Sequence, residues 1–483
     1  MALGGTGPDV SSREYRQPVA SFAPLQRLVI SIAVLASFVT FLDGTVVNVA
    51  LPAISEDIGG GITTQQWVVD AYLITLSALI LLAGSVSDAY GRVLVMRIGL
   101  IAFGVASVAV AAAFDPVTMI LARAAQGAAG ALLVPSSLAL ITATMRADVQ
   151  SRAIGVWTAF TTGAMLVGPL LGGLFVDYLS WRLVFLINVV PIAITLVLLQ
   201  RLRLPKHERR VNVDWWSGAL CALGLGAVVF ALIEQPNFGW QSPAIWLPAL
   251  VGAVLFTLFL VRQRTSAAPL MPLWLFRVRD FGWGNLATLF VYAALSLNGF
   301  VVGVYLQQGA GLSATAAGLA SLPMTILMIL LSSRAGAWAG RWGPRIFMTV
   351  GPLVMAMGAL MLLTVAADFD YWWQVLPAMI VMGLGLSLTV APLTAAILGA
   401  IDEDHSGIAS AVNNAVSRVA GLLVIALLST IVGGSLDLDG FHNAAWVTAA
   451  LLVLGGVVSW IGIRRNPKEP AAADAAASVP EPH

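Results

Sequence analysis

Fourteen apolar stretches, each about as long as the ~20 residues a helix needs to cross the hydrocarbon core of a bilayer, follow one another along this chain. Inside a bilayer every backbone N–H and C=O must be satisfied within its own segment, so stretches of this kind fold as helices. Their limits read as 27-51, 64-84, 93-113, 117-141, 153-175, 183-200, 215-233, 243-261, 281-307, 314-337, 346-366, 373-398, 407-432 and 443-463. The 483 residues are 59% hydrophobic and 10% charged, with mean hydropathy +0.90, which leaves too little polar surface to clothe a soluble body. The expectation is an all-α integral membrane protein of the cell inner (cytoplasmic) membrane, with the lipid bilayer as its first partner.

Basic residues give the orientation, because positive charge near span ends is retained on the cytoplasmic side. With the N-terminus inside, the even-numbered loops and both tails hold 22 of the 25 Lys and Arg. Only Arg182 falls on the opposite side, and Arg123 and Arg418 lie within spans. An odd number of spans would scramble this alternation, so both termini are expected in the cytoplasm.

Two basic connections, Arg201 to Asp214 and Arg262 to Arg279, enclose two spans and divide the chain. The organisation expected is a cytoplasmic N-tail (1-26), a six-helix bundle (27-200), a linker with two extra spans (201-280), a second six-helix bundle (281-463) and a disordered cytoplasmic C-tail (464-483). An internal repeat supports the halves. Gly84, Asp88 and Gly91 after the second span match Gly336, Gly340 and Gly343 at one constant offset, and an arginine follows in each half, Arg92 and Arg345. Repeated halves with a substrate site between them are a common plan of secondary transporters.

Several chemistries find no support in the sequence. Cys221 is the single cysteine and four histidines are scattered, so neither a disulfide framework nor a metal cluster is expected. A formal charge of +1 gives no general attraction to nucleic acid. The start, with Arg13 and Arg16, lacks the pattern of a cleaved signal peptide. The glycines at Gly383 and Gly385 do not belong to a G-x-x-x-x-G-K-[ST] loop, so an ion gradient, with no cofactor, is the expected energy source.

What the chain offers instead is charge inside its spans. Asp43, in the run Leu42 to Pro52, is a carboxylate in the middle of an apolar segment, and such a group is by default a hypothesis about ion or proton traffic. Asp70 and Arg123 fall at comparable depth in the second and fourth spans, so the three are expected to form one polar layer. Desolvation penalises an ionised carboxylate and a neighbouring guanidinium favours it, and their competition lets an aspartate exchange protons near neutrality. Two readings stand: proton coupling through Asp43 with Arg123 tuning it and Asp70 as a second acid or cation contact, or a buried ion pair that only holds spans together.

Five motifs carry a family resemblance. GSVSDAYGRVLVMRIG (Gly84 to Gly99) resembles the G-x-L-a-D-r-x-G-r-k signature of the major facilitator superfamily, with Val86, Ala89 and Val93 as departures. LARAAQGAAGA (Leu121 to Ala131) resembles that family's R-x-x-q-G pattern in the fourth span, and VGPLLGG (Val167 to Gly173) its G-P-x-x-G-G pattern in the fifth. WRLVFLINVVP (Trp181 to Pro191) and LDGTVVNVALP are similar to the fourteen-span drug:proton antiporter subgroup. The resemblance implies two six-helix bundles with an inserted hairpin, no enzyme activity, and proton-coupled export of small amphipathic, often cationic molecules by a monomer. It makes Gly84, Asp88, Gly91 and Arg92 a gating motif, against the plainer reading of a tight turn, and Gly168, Pro169, Gly172 and Gly173 the antiporter motif. An acid at Asp70 resembles the quaternary-ammonium exporters of the subgroup. One narrow cargo is the alternative, and a membrane-embedded enzyme or scaffold a remote one.

Cavity candidates are Asn48, Gln126, Asn285, Tyr292, Asn298, Asn413 and Arg418, with interhelical packing as the competing reading. Asn285, Tyr292 and Asn298 read as sharing a face of span nine. Glu234 reads as an accessory acid or a helix-end residue in contact with water, and tryptophans such as Trp67, Trp181, Trp240 and Trp372 as interfacial anchors.

Overall fold

The computed structural model describes residues 22–145, 147–202, 213–266, 269–402 and 405–465. Fourteen helices in it are long and apolar enough to cross a membrane: α1 (Pro24–Ile58), α2 (Gly61–Tyr90), α3 (Arg92–Ala111), α4 (Pro116–Thr144), α5 (Arg152–Tyr178), α6 (Leu183–Arg201), α7 (Trp215–Phe238), α8 (Pro243–Thr265), α9 (Arg279–Gln308), α10 (Ala314–Trp342), α11 (Pro344–Thr364), α12 (Tyr371–Gly399), α13 (Ser406–Ala426) and α14 (Leu438–Gly462). The chain is a multi-pass membrane protein. The expected disorder of the C-tail and most of the linker after α6 fall outside the described residues.

Helix ends follow local chemistry. Asp115 caps α4 by accepting from Val117 N and Thr118 N at 2.8 and 3.0 Å, with Pro116 at the first helical position. Its carboxyl is held below the ordinary value, first by the Thr118 amide. The two halves repeat one turn: Gly91 between α2 and α3 has φ +92°, and Gly343 between α10 and α11 has φ +84°. Only glycine adopts that backbone without strain, which explains why these positions match in sequence.

Expected and observed spans differ mainly at ends and kinks. α1 runs seven residues beyond the apolar limit at Leu51, through Ser55, Glu56 and Asp57, because a helix need not stop where its side chains become polar; the consecutive glycines at 59–61 stop it. α6 is interrupted at residues 187–188 and α10 at Ser321, while the span read as 407-432 ends at Ala426 and is followed by a separate turn, Leu428–Val432.

The first half, α1–α6, and the second, α9–α14, are built alike. First packs on fifth, second on fourth, third on fourth, and sixth on first and third in each. The halves meet along α2–α13, α5–α10 and α1–α9, an arrangement that exchanges under a pseudo-twofold. The α7–α8 hairpin leans on α2 through α7. Its two helices approach closely where a Cβ on Gly224 would lie 2.9 Å from Phe256 N. At its root Arg262 clamps Asp214, with Nε and Nη2 each 2.9 Å from a carboxylate oxygen, and Gln263 donates to Ser217 Oγ at 2.8 Å.

The start of α1, the end of α14 and the Gly91 turn share one face, here the terminal face, where Arg464 N donates to Asp280 Oδ1 and Arg279 Nε to Gly462 O. Towards the opposite, far face one apolar core joins both halves, from Val46, Leu51 and Ile54 to Leu297, Val301 and Leu428. Towards the terminal face the halves keep separate cores, one around Met96 and Leu140, the other around Phe281 and Ile397. The molecule is closed at its far face.

Candidate functional site

Five helices of the first half, α1 to α4 and α6, meet around Asp43. Arg123 Nη1 donates to Asp43 Oδ2 at 2.7 Å, Gln126 Nε2 to Asp43 Oδ1 at 2.8 Å, and Asn188 Nδ2 to the same oxygen at 2.9 Å. Gln126 also donates to Ser107 Oγ at 2.9 Å and accepts from Arg123. Asp43, Gln126 and Asn188 have no exposed surface and Arg123 has 1%. Arg123 Nε reaches Val68 O at 2.9 Å, and its guanidinium stacks over the Tyr72 ring at 4.4 Å.

Local sequence explains how so many polar groups fit. Arg123 and Gln126 lie one turn apart on one face of α4. At Gly127 any Cβ would collide with the Tyr72 carbonyl, so this glycine lets α4 lie against α2. Asn188 sits in the interruption of α6, three residues before Pro191. An ion pair removed from water is tolerable only when its remaining hydrogen-bonding capacity is met, and two side-chain amides do that for Asp43. The network ties α1, α2, α3, α4 and α6 together around this one carboxylate.

The expected three-residue layer is not what forms. Asp70 is fully buried, yet neither carboxylate oxygen has a hydrogen-bond partner. Val68 and Tyr72 lie one turn apart and face Arg123, and two residues of helix put Asp70 about 160° away from each. It shares the face of Gln66 and Ile74, which meets α13. Gln126, expected in a cavity, is instead part of the Asp43 network. Asn188 and Ser107 are the members that sequence reasoning missed, although Asn188 lies within a quoted motif and is a polar residue in mid-span.

The far-face seam is hydrogen-bonded between halves. Gln66 Nε2 donates to Ile425 O at 2.6 Å, Ser429 Oγ donates to Gln66 Oε1 at 2.6 Å, and Gln307 Nε2 to Val49 O at 3.1 Å. Asp177 of α5 accepts from Ala314 N and Thr315 N at the start of α10, at 2.9 and 2.8 Å. VGPLLGG makes this contact possible. A Cβ on Gly173 would strike the Thr315 backbone, one on Gly172 would sit 2.9 Å from Val46 O, and one on Gly318 would sit 2.5 Å from Pro169 O. Gly168 packs likewise against Thr45. Pro169 and Gly173 thus meet α10 of the other half, while Gly168 and Gly172 seat α5 against α1 of its own half. At the other face Asp88 and Arg92 pair across the Gly91 turn at 3.5 Å, both partly exposed, while Gly84 has open space around it.

The second-half candidates separate. Asn413 Nδ2 bridges Asn285 Oδ1 at 3.1 Å and Thr288 Oγ1 at 2.9 Å, joining α13 to α9, and Arg418 Nε reaches Asn414 Oδ1 at 3.4 Å. Tyr292 packs between two apolar cores, and Asn48 is half-buried. Asn298 does not share the face of Asn285. Thirteen residues at about 100° each leave the two roughly 140° apart, and Asn298 faces Phe441 and Thr448 of α14. Glu234 lies within α7 and accepts from Trp67 Nε1 at 2.8 Å. Trp67 and Trp181 are therefore internal partners, Trp181 donating to Asp57 at 3.0 Å, whereas Trp240 and Trp372 are exposed as expected of anchors.

Twelve membrane-length helices in two like halves that meet along a seam, two more in a hairpin beside them, and charge buried within the first half define a membrane transporter. A family model described as the Major Facilitator Superfamily matches residues 33–425, and the chain belongs to that family. It is 32% identical over 436 residues to the methylenomycin A resistance protein of Bacillus subtilis (strain 168), covering 88% of this chain and 93% of that protein. It is 32% identical to the puromycin resistance protein pur8 of Streptomyces alboniger and 30% identical to the cephamycin export protein CmcT of Amycolatopsis lactamdurans, covering 88% of this chain and 89% of the relative in each case. Its fold is similar to the D-xylose-proton symporter (TM-score 0.65, 14% identity, 92% and 98% of the two chains) and to the peptide transporter POT (TM-score 0.67, 15% identity, 90% and 93%). At that identity the likeness speaks for the fold alone.

Proposed function

We propose that this chain exports small amphipathic molecules, many of them cationic, from the cytoplasm in exchange for protons. The observation that carries the reading is a buried carboxylate, Asp43, tied to Arg123, Gln126 and Asn188. The resistance and export proteins among its relatives support the cargo class.

In this reading the protein lies in the cell inner membrane as a monomer, with both termini and the terminal face cytoplasmic, as its basic residues favour. The described conformation is then inward-facing. A proton entering from outside neutralises Asp43 and frees Arg123; cargo and proton bias opposite states of a rocking-bundle cycle, so release of one accompanies uptake of the other. The Gly84–Arg92 turn acts at the cytoplasmic face and the glycine surface of α5 at the outer one. Asp70, on the α13 face of α2, serves as a second acid or as a contact for a cationic cargo.

Relatives named for methylenomycin A and for cephamycin favour one further reading, a cargo restricted to a single antibiotic. Both readings are tested by ethidium efflux from cells expressing the wild type or Asp43→Asn at matched membrane levels, with and without a proton-gradient collapser. Efflux by wild type alone, abolished by the collapser, is the expected result. Equal efflux from both proteins would remove Asp43 from coupling, and no efflux from either would favour the narrow cargo.

A further inference from the structure

A cavity of about 370 Å³ lies in the terminal-face half, apart from the Asp43 network. Its walls come from both halves and from the hairpin: Ser77 of α2, Cys221 and Leu225 of α7, Phe256 of α8, Asn285 of α9 and Val419 of α13. Without α7 and α8 this space would be open bilayer, so the hairpin converts a seam between bundles into a pocket. Its size falls within the range of small-molecule sites, and its lining is apolar apart from a few hydrogen-bonding groups.

One of those groups lacks a partner. Ser77 is 2% exposed and its Oγ makes no hydrogen bond. That sets it apart from buried serines elsewhere in the helices: Ser137, Ser387 and Ser459 each donate to the carbonyl four residues back, at 2.6 to 2.8 Å. A buried hydroxyl with no partner carries the cost of its lost hydration, and a ligand group that pairs with it recovers that cost. Asn285, on the opposite wall, is already engaged with Phe281 O and Asn413.

We infer that this pocket binds a neutral, lipophilic small molecule carrying one hydrogen-bonding group, with that group on Ser77 Oγ and its apolar body against the hairpin. Charge is disfavoured, because no ionised side chain among the described residues lines the wall to meet it. The site is distinct from the proton network and does not depend on which cargo is carried.

The test uses 3-azioctanol, a photoactivatable neutral alcohol, on the purified full-length protein in lipid nanodiscs without any ion gradient, with labelled peptides mapped by mass spectrometry. Saturable labelling of the segments holding Cys221–Leu225 and Phe256–Phe259, competed by octanol, is expected. Ser77→Ala should weaken it about fivefold, the effect of one hydrogen bond. Ala415→Phe, which fills the space from α13, should abolish the saturable part and leave labelling at the lipid-facing Val105 and Val108 of α3 unchanged. Labelling that never saturates and matches that at Val105, or saturable labelling indifferent to both substitutions, would overturn the inference. Because no gradient is present, its failure is separate from failure of proton exchange.

Discussion

Gln66 and Ser429 hold the two halves of the molecule together: the Ser429 hydroxyl donates to Gln66 Oε1 at 2.6 Å, while Gln66 Nε2 donates to Ile425 O beside it. Gln66 is fully buried and Ser429 nearly so. With Asp177 on α10 and Gln307 on Val49 O, this pair closes the far face. Hydrogen bonds made in only one of two conformations weight the equilibrium between them by their full net value.

Gln66→Ala removes these buried bonds. At about 0.5–1.5 kcal/mol each, their loss should move the closed-to-open ratio at the far face by about tenfold or more. Pulsed electron resonance distances between spin labels at the far ends of α5 and α10, in a Cys221→Ala background, read this directly. A distance distribution identical to that of the parent would show that the pair does not hold the seam.

The glycine surface of α5 makes a positional prediction. Gly173→Ala puts a methyl group into the Thr315 backbone, whereas Gly163, in the same helix, has nothing within 4 Å of a Cβ. Overpacking of this kind costs about 1–3 kcal/mol. Gly173→Ala should cut transport roughly tenfold at normal membrane expression, and Gly163→Ala should leave it unchanged. Equal behaviour of the two would mean that α5 and α10 do not need to close.

Removing one member of a buried pair is worse than removing both charges. Arg123→Ala leaves Asp43 without its cation and should lower stability by about 3–5 kcal/mol, whereas adding Asp43→Asn should recover part of that loss. Thermal unfolding of the two variants in nanodiscs measures the difference. Additive losses would mean that the pair is not coupled.

The hairpin root carries a pH dependence. Burial pushes Asp214 up, but the Arg262 guanidinium, the Ser217 hydroxyl and the Ser217 amide outweigh it and hold the carboxyl below its ordinary value. A depressed folded value means stability that is fully present above the unfolded value of about 3.9 and lost as pH falls through the folded one. The wild type should therefore unfold at a higher temperature than Asp214→Asn at pH 7, and the gap should shrink at pH 3. A gap independent of pH would exclude the clamp as its source.

The number of spans and the presence of buried charge were legible because each depends on a local signal: apolar length, and charge where charge is costly. Asp43 and Arg123 stand out on those grounds alone. Asn188 did not, since an amide carries no charge and its role depends on an interruption of α6 that turns it towards α1. Asp70 was misplaced for a related reason. Depth along a helix is readable from residue counts, but its facing depends on which neighbours pack there, and Gln66 and Ile74 bring that face of α2 to α13. Asn298 shows the cost of overlooking the angle between positions thirteen residues apart. The pocket at the hairpin has no sequence signal, because its lining comes from six separated stretches.

Proton exchange through Asp43 is measured most directly in proteoliposomes loaded with a pH-sensitive dye, into which a cationic substrate such as ethidium is driven by an imposed pH difference. The wild type should move protons in step with the substrate, and Asp43→Asn, folded and equally reconstituted, should show neither flux. Substrate-linked proton movement by Asp43→Asn at the wild-type rate would contradict the assignment of Asp43.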